Sequence, residues 1–279
     1  MNKLIDSFLI TIFWGSGLIL LAGLIAIITY LFIQGGSALS LDFLRLPPAG
    51  SPLGKEGGVL PAIKGTLYLI GIALAVTSIP AFLTAIYLSE YAQPSPLLNT
   101  MEVLIQSMAG VPSIITGLFV YALCVVQLGW GISLLAGGVA LSIMIFPVIV
   151  VSMRDSLRAV DRDYRLTGAA LGVSPAYMLR RIILPQSWRA IIGSILLAMG
   201  YAAGATAPIM VTAAAISAPA SGNLFDPVMA LPYHLYLLFN EHISLDNAYA
   251  TALLLVIMLL ILNSVALALT GTGNMKKRR

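Results

Sequence analysis

Six apolar stretches of this sequence, each of twenty residues or more, contain no aspartate, glutamate, lysine or arginine: 8–33, 66–88, 103–126, 132–151, 190–214 and 249–269. About twenty mostly apolar residues of helix cross the hydrocarbon of a bilayer. A backbone in lipid must also satisfy its own hydrogen bonds. The expected fold is therefore all-α, a polytopic membrane bundle of six transmembrane helices with lipid as its main solvent. Composition agrees, because 9% charged residues cannot cover a water-facing surface. The first run is too long for a signal peptide, and no small-x-small cleavage site closes it.

Lysine and arginine orient the bundle. With the N-terminus in the cytoplasm, the inner side holds Lys3, Arg154, Arg158, Arg162, Arg165, Arg180, Arg181, Arg189 and the tail Lys276, Lys277, Arg278 and Arg279. The outer side holds only Arg45, Lys55 and Lys64. Both termini are expected inside. The net charge of +4 sits beside apolar spans, as topology requires, so no nucleic-acid partner is expected. Organisation follows: residues 1–65 are a first span and an outer loop rich in Gly and Pro, 66–271 a core, and 272–279 a basic tail.

Absences narrow the class. The chain lacks a Gly-x-x-x-x-Gly-Lys-Ser/Thr loop and so is not expected to bind ATP in that way. It lacks His-Glu-x-x-His, and its two histidines, His234 and His242, read as surface residues of the last outer loop. Its one cysteine, Cys124, lies in an apolar run and reads as a small hydrophobe. No metal or cofactor is expected on this chain. Ion-coupled transporters keep ionisable groups inside the membrane. Here Glu90 and Glu102 stand at the inner ends of spans, and the spans themselves are empty of charge. Four spans carry an internal proline (Pro80, Pro112, Pro147 and Pro208), which favours kinked helices that bend or open; packing alone also accounts for such prolines.

The longest inner loop, 153–189, is too charged to enter lipid. It reads as two short helices, 155–171 and 175–184. Gly172 suits the left-handed position that ends the first. Ser174 and Pro175 suit the cap and first turn of the second, with Pro185 as its stop. Such a helix–turn–helix is either a docking knob for a soluble partner or a solvated loop that satisfies the charge bias.

Within this loop, Gly168-Ala169-Ala170-Leu171-Gly172-Val173-Ser174-Pro175 followed by Arg180-Arg181-Ile182-Ile183-Leu184-Pro185 resembles the cytoplasmic signature loop of bacterial ABC importer permeases, Glu-Ala-Ala-x3-Gly-x9-Ile-x-Leu-Pro. Other strings are similar to the phosphate importer permeases of the PstA type. These are Tyr87-Leu88-Ser89-Glu90-Tyr91, Gly110-Val111-Pro112-Ser113-Ile114, Thr206-Ala207-Pro208-Ile209, and the outer segment 226–236. The resemblance spans roughly 64–270. It implies the type I ABC importer permease fold and a role in ATP-driven phosphate import across the bacterial inner membrane. It also implies a second permease subunit (PstC-like), a homodimeric ATPase (PstB-like) that uses ATP and Mg, and a periplasmic phosphate-binding protein. By the same resemblance Ala169, Ala170, Gly172, Ile182, Leu184 and Pro185 couple to the ATPase. The signature acid is replaced by Leu166, which implies a weaker or different docking. Tyr201 and Ala205 stand where many relatives carry an arginine and a glutamate in the fifth span.

An anion in a low-dielectric path needs compensating donors, and this chain offers no buried lysine or arginine. Hydroxyls and freed backbone near the kinks are the candidates: Pro112, Ser113, Thr116, Gly204, Thr206 and Pro208. The same hydroxyls also serve helix–helix packing in membranes. A permease for phosphonate, molybdate or sulfate, an ion-coupled secondary transporter and a membrane enzyme remain the alternative readings.

Overall fold

The computed structural model describes residues 3–217 and 223–271; the basic tail 272–279 lies outside the described residues. In chain order its elements are α1 (Lys3–Gly35), α2 (Leu41–Arg45), β1 (Pro48–Ala49), β2 (Glu56–Gly57), α3 (Leu60–Ile86), α4 (Pro96–Gly110), α5 (Ser113–Val120), α6 (Leu134–Arg158), α7 (Arg162–Ala170), α8 (Pro175–Met178), α9 (Leu184–Ala203), α10 (Ala207–Thr212), α11 (Leu231–Asn240) and α12 (Leu245–Gly271). π-helical turns extend α3 (Tyr87–Tyr91) and α5 (Tyr121–Gln127) and join α8 to α9 (Leu179–Ile183). Among the described residues five helices are long and apolar enough to cross a membrane. The pair Pro96–Gly110 and Ser113–Gln127, bent by 99°, makes a sixth if taken as one span.

Four expectations are corrected. The fifth span, expected over 190–214, divides, with α9 ending at Ala203 and α10 starting at Ala207. The third span is not one kinked helix, because Val111 and Pro112 are both extended (ψ 126° and 131°) and divide it; a residue before proline avoids the α region. The expected helix 155–171 is in two pieces, with α6 ending at Arg158 and α7 starting after the Asp161 cap. Pro185 does not stop a helix: the π turn Leu179–Ile183 shifts the hydrogen-bond register just before it, and α8 and α9 run on as one 29-residue span. The Gly- and Pro-rich loop between α1 and α3 contains α2 and the β1–β2 hairpin.

The chain divides into two compact units. The first comprises α1 through Val59 with Leu235–Val256. In it Asn247 Nδ2 donates to the carbonyls of Gly54 and Lys55 at 2.9 and 3.1 Å, holding the hairpin to the start of α12. The Tyr30 and Tyr249 hydroxyls share a hydrogen bond of 3.1 Å.

The second unit, Leu60–His234 with α12 from Ile257, contains the main core. Alanines and a few large aliphatics of α3, α6 and α9 fill it, including Ala73, Ala81, Leu141, Ile145, Ala198 and Ala202. Small residues let membrane helices approach until hydrogen bonds cross between them. Thr77 donates to the Ser142 carbonyl at 2.8 Å, and Ser142 donates back to the Ala73 carbonyl at 3.3 Å. Helix ends are satisfied locally too. The first amides of α6 donate to Asp226 and Leu224 carbonyls, and the Leu231 amide that opens α11 donates to Thr66 Oγ1 at 2.8 Å.

One histidine departs from its expected place. His242 is exposed, but His234 is buried in α11, and burial pushes its imidazole down to about 4. A neutral buried imidazole with an unfolded value near 6.5 gives stability that is whole above that value and is lost as pH falls toward 4. The shift is worth about 3 kcal/mol. The purified wild type should therefore lose several degrees of melting temperature between pH 7 and pH 4.5, and His234→Gln should remove most of that slope.

Candidate functional site

Two helix breaks meet in the second unit. One is the 111–112 elbow before α5. The other separates α9 from α10 at Gly204–Thr206, with Pro208, which has no amide to donate to the Gly204 carbonyl, in the first turn of α10. The short helices beyond the breaks lie against each other: a Cβ at Gly117 would stand 2.7 Å from Pro208 Cα. Beside this junction is a cavity of about 340 Å³ lined by Ser113, Met144, Gly200, Tyr201, Gly204, Ala205 and Thr206. No lining residue is charged.

Three of the six residues expected along a path, Ser113, Gly204 and Thr206, thus line one cavity. Gly117 and Pro208 lock the two short helices beneath it. Thr116 faces a separate, apolar pocket with Met108, Ile115 and Phe119. Pro112 is the exposed residue before α5 and sets its direction. Most span hydroxyls are committed to the backbone: Thr84, Ser107, Ser187, Ser194 and Thr212 each donate to the carbonyl four residues back. Among the described residues, the hydroxyls of Ser113, Thr116 and Thr206 make no such bond. Those of Ser113 and Thr206 are free to serve whatever enters the cavity.

Tyr201 was read as the place of a missing charge, yet it lines the same cavity, half exposed (52%). It stands in the last turn of α9, and Gly204 and Ala205 follow it into the break, which brings all three to the cavity.

The 153–189 loop forms a knob. α7 starts at an Asp161 cap and ends at Gly172 in the left-handed region (φ 68°), with the Val173 amide returning to the Gly168 carbonyl at 2.9 Å. Ser174 then caps α8 by accepting from the Tyr177 amide. Met178 folds under the turn against Gly168. Ala169, Ala170 and Gly172 are exposed at the tip, whereas Ile182 and Leu184 are half buried in the next helical stretch and Pro185 is exposed beside them. What the tip presents is apolar: Leu171 is 75% exposed, flanked by Tyr164 and Tyr177, over a groove of about 340 Å³ that Ile182 also lines.

Behind the knob is a charge cluster that sequence reasoning did not assemble. Arg165 of α7 donates to both carboxylate oxygens of Glu90 at 2.8 and 3.1 Å. It also donates to the carbonyls of Leu157 and Val160 at 2.8 and 2.7 Å. Arg158 donates to the Leu88 carbonyl and, with Arg154, to Glu102.

The family described as "Binding-protein-dependent transport system inner membrane component" matches residues 3–272. A phosphate transport system permease protein PstA 2 of Mycobacterium bovis is 38% identical over 216 residues, covering 75% of this chain and 70% of the relative. A probable phosphate transport system permease protein PstA of Methanocaldococcus jannaschii is 32% identical over 208 residues, covering 75% and 73%. Among solved structures, the inward-facing MetNI methionine ABC transporter superposes with a TM-score of 0.61 at 16% identity, over 75% of this chain and 94% of that chain. The fold is that of the type I ABC importer permeases.

Proposed function

This chain belongs to the family of binding-protein-dependent transport system inner membrane components, and we propose that it is a membrane-spanning subunit of an ATP-driven importer of inorganic phosphate. The observation that carries the substrate path is the cavity at the paired helix breaks, where Ser113 and Thr206 offer uncommitted hydroxyls beside Tyr201. The permease names of relatives that cover most of the chain support phosphate as the cargo.

The chain sits in the bacterial cytoplasmic membrane with both termini inside. A binding protein delivers phosphate to the outer mouth, and a second permease subunit completes the path. The cavity described here lacks a cation, so charge compensation in the path falls to that second subunit. A separate homodimeric ATPase, using ATP and Mg, docks on the knob between α6 and α9. Chemistry belongs to that ATPase. This chain supplies positioning and the alternation of the path: closing of the ATPase pushes the knob, and the helices behind it open the cavity to one side.

Uptake of labelled phosphate at low concentration, with and without the gene and with an uncoupler present, tests this reading. Uptake that survives the uncoupler and disappears with the gene is the expected result. Unchanged uptake after deletion, in cells with no duplicate system, overturns the substrate assignment, and other oxyanions are then the cargo to test. In the intact complex, Ser113→Ala and Thr206→Val should each slow uptake about tenfold, the scale of one lost hydrogen bond to a charged group. Thr212→Val, at a hydroxyl spent on the Pro208 carbonyl, should change uptake far less.

A further inference from the structure

The Arg165–Glu90 cluster lies outside both the cavity and the exposed tip of the knob, and neither role accounts for it. Its geometry is unusual for a loop residue. One guanidinium holds three segments at once, all from a position inside α7: the π turn that ends α3, through both oxygens of Glu90, the last turn of α6 at the Leu157 carbonyl, and the link that follows it at the Val160 carbonyl. The Glu90 side chain is only 9% exposed and that of Arg165 26%. Leu157 is fully buried, and Val160 is buried on the same side. A planar fork binding a carboxylate through two bonds fixes direction as well as distance. α6 and α3 are the two helices whose buried faces form much of the core, and they are tied together again farther along by Thr77 and Ser142. A push on α7 reaches α6 along the connecting backbone and is passed to α3 through the Arg165 side chain.

Resting on the importer reading above, we propose that Arg165 and Glu90 form the joint through which movement of the coupling knob reaches α3, the core helix to which the knob is not joined by continuous chain. Arg165 is a positioning residue: it touches neither substrate nor nucleotide. Breaking the joint lets α6 and α9, which are continuous with the knob, follow the ATPase while α3 lags, so ATP is hydrolysed with little transport. Leu166, which occupies the signature acid's place, is exposed and takes no part in the joint.

The test uses the complete complex in proteoliposomes and reads ATP hydrolysed per phosphate imported. For Arg165→Ala that ratio should rise at least about tenfold, with assembly of the complex unchanged. Arg165→Lys keeps the charge but loses the fork and should fall between the two. Glu90→Gln should raise the ratio less than Arg165→Ala, because the carbonyl contacts remain, and should add nothing in the Arg165→Ala background. Arg162→Ala, an exposed arginine on the same helix, controls for loss of loop charge. A second readout does not depend on the cargo. Hydrogen exchange of the α7 amides, in the assembled complex in lipid nanodiscs, should speed up about tenfold in Arg165→Ala and stay near wild type in Arg162→Ala. If hydrolysis and uptake fall in proportion, or if Arg162→Ala reproduces either effect, the joint is wrong. Failure of the wild-type complex to import phosphate would instead sink the cargo assignment, with the exchange measurement still deciding the joint.

Discussion

Gly117→Leu should abolish uptake and lower the melting temperature of the purified subunit, whereas Gly71→Leu should leave both near wild type. The reason is contact at the junction of the two short helices. A Cβ on Gly117 would stand 2.7 Å from Pro208 Cα, 3.0 Å from its carbonyl oxygen and 3.1 Å from a Val211 methyl. Two of these three are backbone, which cannot swing aside as a side-chain tip can. Pro208 adds stiffness, since its ring fixes φ and its neighbours are already at a helix break. Overpacking a filled site costs about 3 kcal/mol, and the added Cβ meets α10 whatever rotamer the rest of the leucine adopts. The only relief is separation of α5 from α10, and that displaces Ser113 and Thr206 from their shared cavity. Gly71 makes the same chemical change on a face of α3 with nothing within 4 Å of the added carbon. Gly117→Ala should fall between, measured by the same melting curves and by uptake. If Gly117→Leu melts and transports like wild type, the close packing of α5 on α10 is wrong, and with it the geometry of the cavity.

The sequence carried the spans well because the signal for lipid is long and summed over many residues: a run of twenty without charge has no soluble reading, and five such runs appear as long apolar helices with the remaining one in the bent pair. Breaks within spans were less legible. Pro112 and Pro208 announced a lost hydrogen bond, but not whether the helix would kink or come apart. That depends on Val111, on the Gly204 end and on the contact with Gly117, and these are tertiary facts. Pro185 shows the opposite error. A proline looked like a stop, and a single π turn absorbed it. In the knob, Gly172, Ser174 and Pro175 were readable because caps and left-handed turns are local. The Glu90–Arg165 pair was not, since its members are 75 residues apart and opposite charges near inner span ends occur whether or not they meet. His234 was misplaced for a related reason: polarity argues for the surface, and only packing around α11 buries it.

Leu171→Glu should sever the chain from its ATPase. Leu171 is 75% exposed at the tip of a segment otherwise rich in charge, with Tyr164 and Tyr177 beside it at 47% and 56%. An exposed apolar cluster that includes two tyrosines, held out by a capped, left-handed turn, is the kind of anchor around which the free energy of an interface concentrates. A carboxylate at the centre of such a contact forgoes the apolar burial and must also be desolvated without a partner. A loss of about 3 kcal/mol corresponds to a fall of roughly 100-fold in affinity. The expected result is loss of ATPase copurification, uptake reduced about 100-fold, and an unchanged melting temperature of the isolated subunit, since the replaced side chain supports nothing beneath it. Leu171→Met should keep all three near wild type, because length and apolarity are retained. The comparison with Arg165→Ala separates two ways of disconnecting the knob. Leu171→Glu acts on its outer face, so the ATPase no longer binds and neither hydrolysis nor import responds to this chain. Arg165→Ala acts on its inner face, so the ATPase stays bound and hydrolysis continues while import falls. If Leu171→Glu retains the ATPase with undiminished uptake, the docking surface lies elsewhere on the 153–189 segment, and the exposed apolar tip has no part in coupling.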